Sequence, residues 1–358
     1  MVIRIAPAEA ASPLGARRSL VDPFFARLRR RALTVTGAYV ALCIVTAALP
    51  GLLLVALVID LFRPIGRRTF ASVRLVLMLE SYLFTEVFGL CALAWCWLTT
   101  LGARRRRETL TFAIQRLYTG LHFACVRRLF ALRFVLEDED LARAEGPVVV
   151  LVRHASIIDT LLPAAFLANR HRIELRYVVK RELLIDPCID IAGHWLHTVF
   201  VARDGSDTPL TLEAVRGLKR DLPANGGVLL YPEGTRFTDR KRRRELDRLQ
   251  NDPTAYARAA SLRHVLPLRS GGVQALLEAS PSCDVLFVGH AGLEGFSFIR
   301  DIWAGELVGR TVRVKFWREP GASVPTERDA RLAWLFARWQ RLDDWLEALT
   351  ISGSTRSE

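Results

Sequence analysis

The sequence predicts an α/β fold, a mostly parallel, mixed sheet flanked by helices, with an N-terminal α-helical membrane hairpin in front of it. Three observations predict this. From Gly146 onward, short β-branched runs alternate with helical stretches, the rhythm of parallel βαβ units. Upstream of that, two long stretches are almost free of charge. Arginine clusters stand at the outer ends of both stretches.

Composition narrows the function classes. The hydrophobic fraction is 51% and the mean hydropathy +0.20, high for a wholly soluble chain and low for a polytopic one. A net charge of +13 implies a polyanionic partner: nucleic acid, anionic lipid or a phosphorylated substrate. The 6 cysteines are scattered without a C-x-x-C pair, so neither a zinc site nor a disulfide framework is indicated, and no metal is expected.

In chain order, residues 1–31 read as a basic N-terminal segment ending in Arg27, Arg29, Arg30 and Arg31. Residues 32–103 read as a membrane hairpin. Ala32 to Ile59 carries no charge, and about 20 apolar residues suffice to cross the hydrocarbon core. Pro50-Gly51 suggests a bend or a turn back within this stretch. After the basic connection from Arg63 to Arg68, the second stretch carries Arg74, Glu80 and Glu86, which are costly in a spanning helix. A hairpin that only partly enters the bilayer fits better than two clean spans. Residues 104–136 read as a basic amphipathic interfacial helix, with a helix packed on the following domain as the equal alternative. Glu137–Asp140 reads as a solvated linker.

Residues 146–350 carry the α/β domain, with strands expected at 147–153, 173–180, 198–202, 227–231, 264–268, 284–290 and 310–317. A last helix is expected over about 327–349, with a disordered tail at 351–358.

The strand Val148–Val152 delivers His154 to its carboxyl end, where open α/β sheets place their chemistry. Asp159 follows five positions later, in the first turn of the next helix. It can hold the imidazole by one nitrogen and leave the other free to take a proton from a hydroxyl. Chance supplies such a pair readily, so the other strand ends matter. Lys180 and Arg181 end one strand, and Val199–Ala202 delivers Arg203. Val228–Tyr231 breaks at Pro232 into Glu233-Gly234-Thr235-Arg236, a turn that exposes a carboxylate, a hydroxyl and a guanidinium. Lys180, Arg203 and Arg236 on one sheet edge would make an anion pocket facing His154. The plain alternative is surface cations in an arginine-rich chain.

These blocks resemble a known family. His154 to Asp159 is similar to the H-x4-D motif of the glycerolipid acyltransferase superfamily, of the lysophosphatidic acid (1-acyl-glycerol-3-phosphate) acyltransferase type. Tyr231 to Arg236 is similar to its P-E-G-T-R motif, Phe200–Arg203 to its F-I-x-R block, and Val265–Leu268 to its V-x-P block. The resemblance covers about 150–290. Two departures stand out: Arg153 where Asn is common, and His197 where Gly often begins the F-I-x-R block; both bear on the acceptor headgroup.

The resemblance implies that His154 is the general base on the acceptor's hydroxyl and Asp159 its orienter. The hydroxyl attacks the thioester of acyl-CoA, or of acyl carrier protein, with no acyl-enzyme. Ser156 and Cys188 are then not nucleophiles. Arg203 and Arg236 would hold the acceptor phosphate, Lys180 would line the anion pocket, and Glu233, Gly234 and Thr235 would shape it. Backbone donors near the His154 turn would stabilise the oxyanion. The expected product is phosphatidic acid, made at the cytoplasmic face of a phospholipid membrane, the inner membrane of a bacterium by its arginine-rich composition. The same chemistry allows another lysophospholipid or an amino-acid lyso-lipid as acceptor. A non-catalytic basic lipid- or nucleic-acid-binding protein would explain the charge but not these strand ends; nucleic acid is not the expected partner.

Overall fold

A computed structural model describes residues 23–143, 145–201 and 209–354. Three long helices come first: α1 (Phe24–Leu61), α2 (Ala71–Thr100) and α3 (Arg104–Leu129). The α/β unit follows as β1 (Arg133–Glu137), β2 (Val148–Val152), the helical turn α4 (Leu161–Pro163) running on as a π-helix over Ala164–Asn169, β3 (Glu174–Lys180), α5 (Pro187–Trp195) and β4 (Val199–Val201). Then come α6 (Pro209–Gly217), β5 (Gly226–Leu230), α7 (Asp239–Leu249), α8 (Pro253–Ser261), α9 (Ser270–Glu278), β6 (Asp284–Ala291), α10 (Ile299–Trp303), β7 (Thr311–Glu319) and α11 (Arg328–Ser354).

The seven strands form one sheet in the order β1-β7-β6-β2-β5-β3-β4. All pairings are parallel except β6 with β7. β2 lies at the centre with every residue buried, which is why it is a continuous Val/Leu run and not an alternating one. The pleat still sorts its side chains: Val148, Val150 and Val152 join the core under α3 and the π-helix, whereas Val149 and Leu151 join the core under α6, α9 and α11.

α1 and α2 pair as a hairpin, and α2 and α3 lie against the α/β unit. Both ends of the hairpin are tied down. At one end Arg30 and Arg31 each approach Asp190 at the 2.9 Å of a charge-assisted bond. At the other, Trp303 Nε1 donates to Ser72 Oγ at 2.8 Å and Arg63 stacks on the Trp303 ring. Midway, buried Glu86 accepts from Tyr118 Oη at 2.6 Å and from the Cys188 N–H at 2.9 Å. Both hairpin helices are long and apolar enough to cross a membrane, yet only 6% of the apolar window of α1 is buried by protein. Its exposed face includes Leu33, Val40, Ile44, Leu54 and Val55, a surface suited to lipid or another apolar partner.

Several expectations need correction. α1 runs unbroken through Pro50-Gly51, and the chain turns back at 62–70 instead. Asp60 defines that turn by accepting from the N–H groups of Ser72 and Val73 at the start of α2. Arg27–Arg31 belong to α1, so no separate basic segment ends there; residues 1–22 lie outside the described residues. The third helix stops at Leu129, and 133–137 is the edge strand β1, so the α/β unit begins before Gly146. Glu137 is not in a solvated linker: it pairs with Arg313 at 2.9 Å and Lys315 at 3.5 Å. Residues 264–268 form no strand. Their backbone N–H groups are taken by side chains, those of His264 and Val265 by Asp343 and that of Leu266 by Glu233. The last helix continues to Ser354, and the remainder of the expected tail, 355–358, lies outside the described residues.

Candidate active site at the carboxyl edge of the sheet

β2 ends at Val152, and the next two residues leave the sheet between β6 and β5. His154 Nδ1 stands 2.8 Å from Asp159 Oδ1. Asp159 is fully buried in the turn just before α4, not within that helix, and its Oδ2 accepts from the N–H groups of Ala155 at 2.6 Å and Ser156 at 2.7 Å. This closed loop presets the side chain of Asp159 before any substrate arrives. Burial pushes the carboxyl up, but the hydrogen bonds from His154 and His290 outweigh it and hold the group well below the usual carboxylate range. The His154 side chain is 14% exposed, and its Nε2 makes no hydrogen bond among the described residues. The Tyr231 ring packs 4.6 Å from the imidazole, centroid to centroid, and limits its tilt.

Glu233 joins the two strand ends. It is buried, with one oxygen accepting from the His154 N–H at 2.7 Å and the other from the Leu266 N–H at 3.0 Å. Burial raises its carboxyl to about 8 against the pull of those two donors. Glu233 thus sets the backbone under His154 and does not point a charge at solvent. Gly234 follows with φ of 65°, and a Cβ there would come within 2.7 Å of Arg269 Cδ, so the tight turn needs glycine. Beyond it, Thr235 Oγ1 accepts from Lys241 Nζ at 2.8 Å, and Arg236 donates to the Ser297 carbonyl at 2.6 Å while lying over the Phe298 ring.

The cations expected at this edge are partly brought together. Burial, then the neighbouring Arg236, Lys180 and Arg240, lower the pKa of Lys241. Those four positive groups therefore share one field. Lys180 is exposed at the end of β3. Arg203, the other expected phosphate ligand, lies outside the described residues. In the basic run 241–244, Lys241 is half-buried and Arg242 is tied to the carbonyls of Leu262 and Ala260.

The backbone donors expected near the His154 turn are mostly occupied. The N–H groups of residues 154 to 158 are all engaged, by Glu233, Asp159, the Phe296 carbonyl and Ser156 Oγ. The N–H groups of Thr235 and Arg236 make no hydrogen bond among the described residues. Ser156 is buried, with Oγ donating to the Phe296 carbonyl, and burial next to Glu86 and Asp186 raises the Cys188 thiol far above its usual range. Neither is placed as a nucleophile.

Sequence reasoning missed two residues that frame the site, His290 and Glu294, and gave Arg153 a different bearing. His290, at the end of β6, is fully buried with Nε2 3.3 Å from Asp159 Oδ2 and 3.2 Å from the Arg153 carbonyl. It ends a buried apolar strand just as His154 does, so the same signal was there to read. Arg153 points away from the pocket: its buried guanidinium donates to the carbonyls of His290 and His264 and to the carboxylate of Glu294. The expected bearing of Arg153 on the acceptor headgroup is therefore not direct. Burial raises the Glu294 carboxyl, but Arg153 outweighs it and holds the group down at about 2. His197 has φ of 57°, a left-handed conformation that glycine adopts at no steric cost. That accounts for the glycine common at this position in the resembled family, with no need of a headgroup contact. Among the described residues, no cluster of three or more side chains could hold a metal ion.

The family model described as Acyltransferase matches residues 133–289. The chain is similar in structure to the 1-acyl-sn-glycerophosphate (LPA) acyltransferase PlsC from Thermotoga maritima, with a TM-score of 0.52 and 17% identity over 77% of this chain and 96% of that one. At that identity the likeness shows the fold. No curated protein matches the sequence significantly.

Proposed function

We propose that this chain, which carries an acyltransferase-family domain across residues 133–289, moves a fatty acyl group from acyl-CoA to the free hydroxyl of 1-acyl-sn-glycerol-3-phosphate and so makes phosphatidic acid. The observation that carries this reading is the His154–Asp159 pair, with Nδ1 fixed at 2.8 Å and Nε2 unengaged among the described residues. Nε2 takes the proton of the acceptor hydroxyl as its oxygen bonds to the thioester carbonyl carbon. The C–S bond then breaks, and the leaving thiolate receives that proton from the imidazolium, so base and acid are one group as in a serine triad. Asp159 holds the required tautomer and stabilises the imidazolium between the two steps. The unengaged N–H groups of Thr235 and Arg236 receive the developing oxyanion in this reading. Lys180, Arg236, Arg240 and Lys241 hold the acceptor phosphate, with Arg203 as a further ligand.

The hairpin supports a membrane location. Both its ends are bonded to the α/β unit, so α1 and α2 run alongside that unit and do not project from it. A perpendicular crossing would draw the catalytic unit into hydrocarbon with them. We place the hairpin in one leaflet, with the outer face of α1 in lipid and the active site at the cytoplasmic surface of the membrane, the bacterial inner membrane. The acceptor then never leaves the bilayer, and the donor arrives from the cytosol.

The test is a matrix of purified protein with several acyl donors and several lyso-lipid acceptors. Acyl-CoA with lysophosphatidic acid is expected to give phosphatidic acid. Transfer only from acyl carrier protein would change the donor, transfer only to another lyso-lipid the acceptor, and transfer to none would remove the reading.

A further inference from the structure

Away from the site, on the other side of the π-helix, lies a cleft that the reaction does not use. Two adjoining cavities of about 460 Å³ and 310 Å³ share Phe123, Arg127, Phe166 and Arg170. Their lining comes from α3, the π-helix and the edge strand β1, and includes none of the residues around His154. The floor is aromatic: the rings of Phe123, Phe134 and Phe166 meet pairwise with centroids 5.0 to 5.5 Å apart.

The rim is cationic and largely without counter-ions. Arg127 and Arg133 are exposed and have no ion pair among the described residues. Arg116 donates to the Asn169 carbonyl, but its Nε is buried without a hydrogen-bond partner. Burial, together with Arg172, makes the Arg116 guanidinium easier to deprotonate, as expected of a cation that lacks an anion. Of the rim arginines, only Arg170 has an acid partner among the described residues, Glu139. Along the outer face of α3, exposed Leu117 and Leu121 border the cleft and continue its apolar floor outward.

We propose that this cleft binds an anionic phospholipid from the surrounding membrane, with an acyl chain on the phenylalanine floor and the phosphate between Arg116, Arg127 and Arg133. The combination selects its occupant. A free anion would leave the aromatic floor bare to water, and a zwitterionic lipid would set its headgroup cation against the same arginines. A protein partner would not need the depth. The π-helix packs directly on α3 and presents Ala165, Phe166, Asn169 and Arg170 to the cleft; such wide turns are frequent at functional sites.

The test uses the full chain in detergent, mixed with phosphatidylglycerol or phosphatidylcholine, passed through gel filtration, and assayed for retained lipid. Phosphatidylglycerol is expected to stay with the protein and phosphatidylcholine is not. The R116Q/R127Q/R133Q variant is expected to lose retention at least about tenfold. F166A should lower it as well. Because Arg127 and Arg133 are exposed, R127Q/R133Q keeps the test alive if the triple variant fails to fold, and should weaken retention in the same direction. Equal retention of both lipids, or unchanged retention in the arginine variants, would overturn the proposal. So would displacement of phosphatidylglycerol by inorganic phosphate at equal concentration, or arginine-dependent binding of an acidic acyl carrier protein with lipid retention unaffected. None of these readouts needs acyl transfer, so this inference and the proposed reaction fail separately.

Discussion

His290 approaches Asp159 from the side opposite His154, with Nε2 3.3 Å from Oδ2 while Oδ1 faces His154 Nδ1 at 2.8 Å. The carboxylate is thus held between two imidazoles, one fully buried and one at the pocket. The buried ring shares its donor with the Arg153 carbonyl, and so ties the carboxylate to the strand end that carries His154.

Replacing His290 by Phe removes that donor and leaves Asp159 Oδ2 held only by the N–H groups of Ala155 and Ser156, with no tie to the Arg153 carbonyl. Turnover should fall about tenfold to a hundredfold, with little change in the KM for either substrate, because the base is misdirected and the binding groups are not. His290→Gln can place a donor where Nε2 stood and should recover most of the loss. A Gln variant no better than Phe would show that ring packing, not the hydrogen bond, is what matters.

His154→Ala should lower turnover by at least about 10²- to 10⁴-fold, the usual worth of a positioned general base. The unfolding temperature should stay close to that of the parent, since the side chain lies at the pocket surface and its backbone N–H keeps its bond to Glu233. Activity retained at the parent level would exclude His154 as the base.

Much of this was legible in the chain, and what was not has physical causes. The central strand could be read because a buried parallel strand must be apolar throughout, and β2 is. The Glu233–Arg236 turn could be read because Pro232 and Gly234 leave few conformations open. The strand expected at 264–268 failed because apolar content does not say who takes the backbone hydrogen bonds; here Asp343, nearly eighty residues later, does. β1 was hidden because Phe134 and Leu136 also fit the helical spacing of α3, and only pairing with β7 decides between them. His290 and Arg153, 137 residues apart in the chain, each bond the other's backbone carbonyl through a side chain, a relationship that no local pattern carries.

Glu233→Ala should be harmful to stability and to turnover together. It strips the acceptor from two N–H groups, those of His154 and Leu266. A buried unsatisfied donor costs roughly 1–3 kcal/mol, so each of the two should register in denaturant unfolding. Glu233→Gln keeps one acceptor oxygen and should fall between Ala and the parent in both measurements. A Gln variant as damaged as Ala would mean that the second oxygen is the essential one.

Asp186 couples the hairpin to pH. Its Oδ2 accepts from Tyr82 Oη of α2 at 2.8 Å, and its Oδ1 caps α5 through the Ile189 N–H at 2.8 Å. Burial, followed by the nearby charge of Glu86, raises the carboxyl from 3.8 to about 7. Between those two values the unfolded chain has released this proton and the folded chain keeps it, so the unfolded state binds fewer protons and stability falls as pH rises. The contribution is fully present below pH 3.8 and is lost by about pH 7. Asp186→Asn retains the cap oxygen and cannot ionise. Its unfolding temperature, followed across that window, should fall less steeply than that of the parent and should exceed it at the alkaline end. The comparison with the parent cancels the slope due to Glu233, whose raised carboxyl acts in the same direction. Parallel curves for the two proteins would mean that Asp186 already sits ionised against α2.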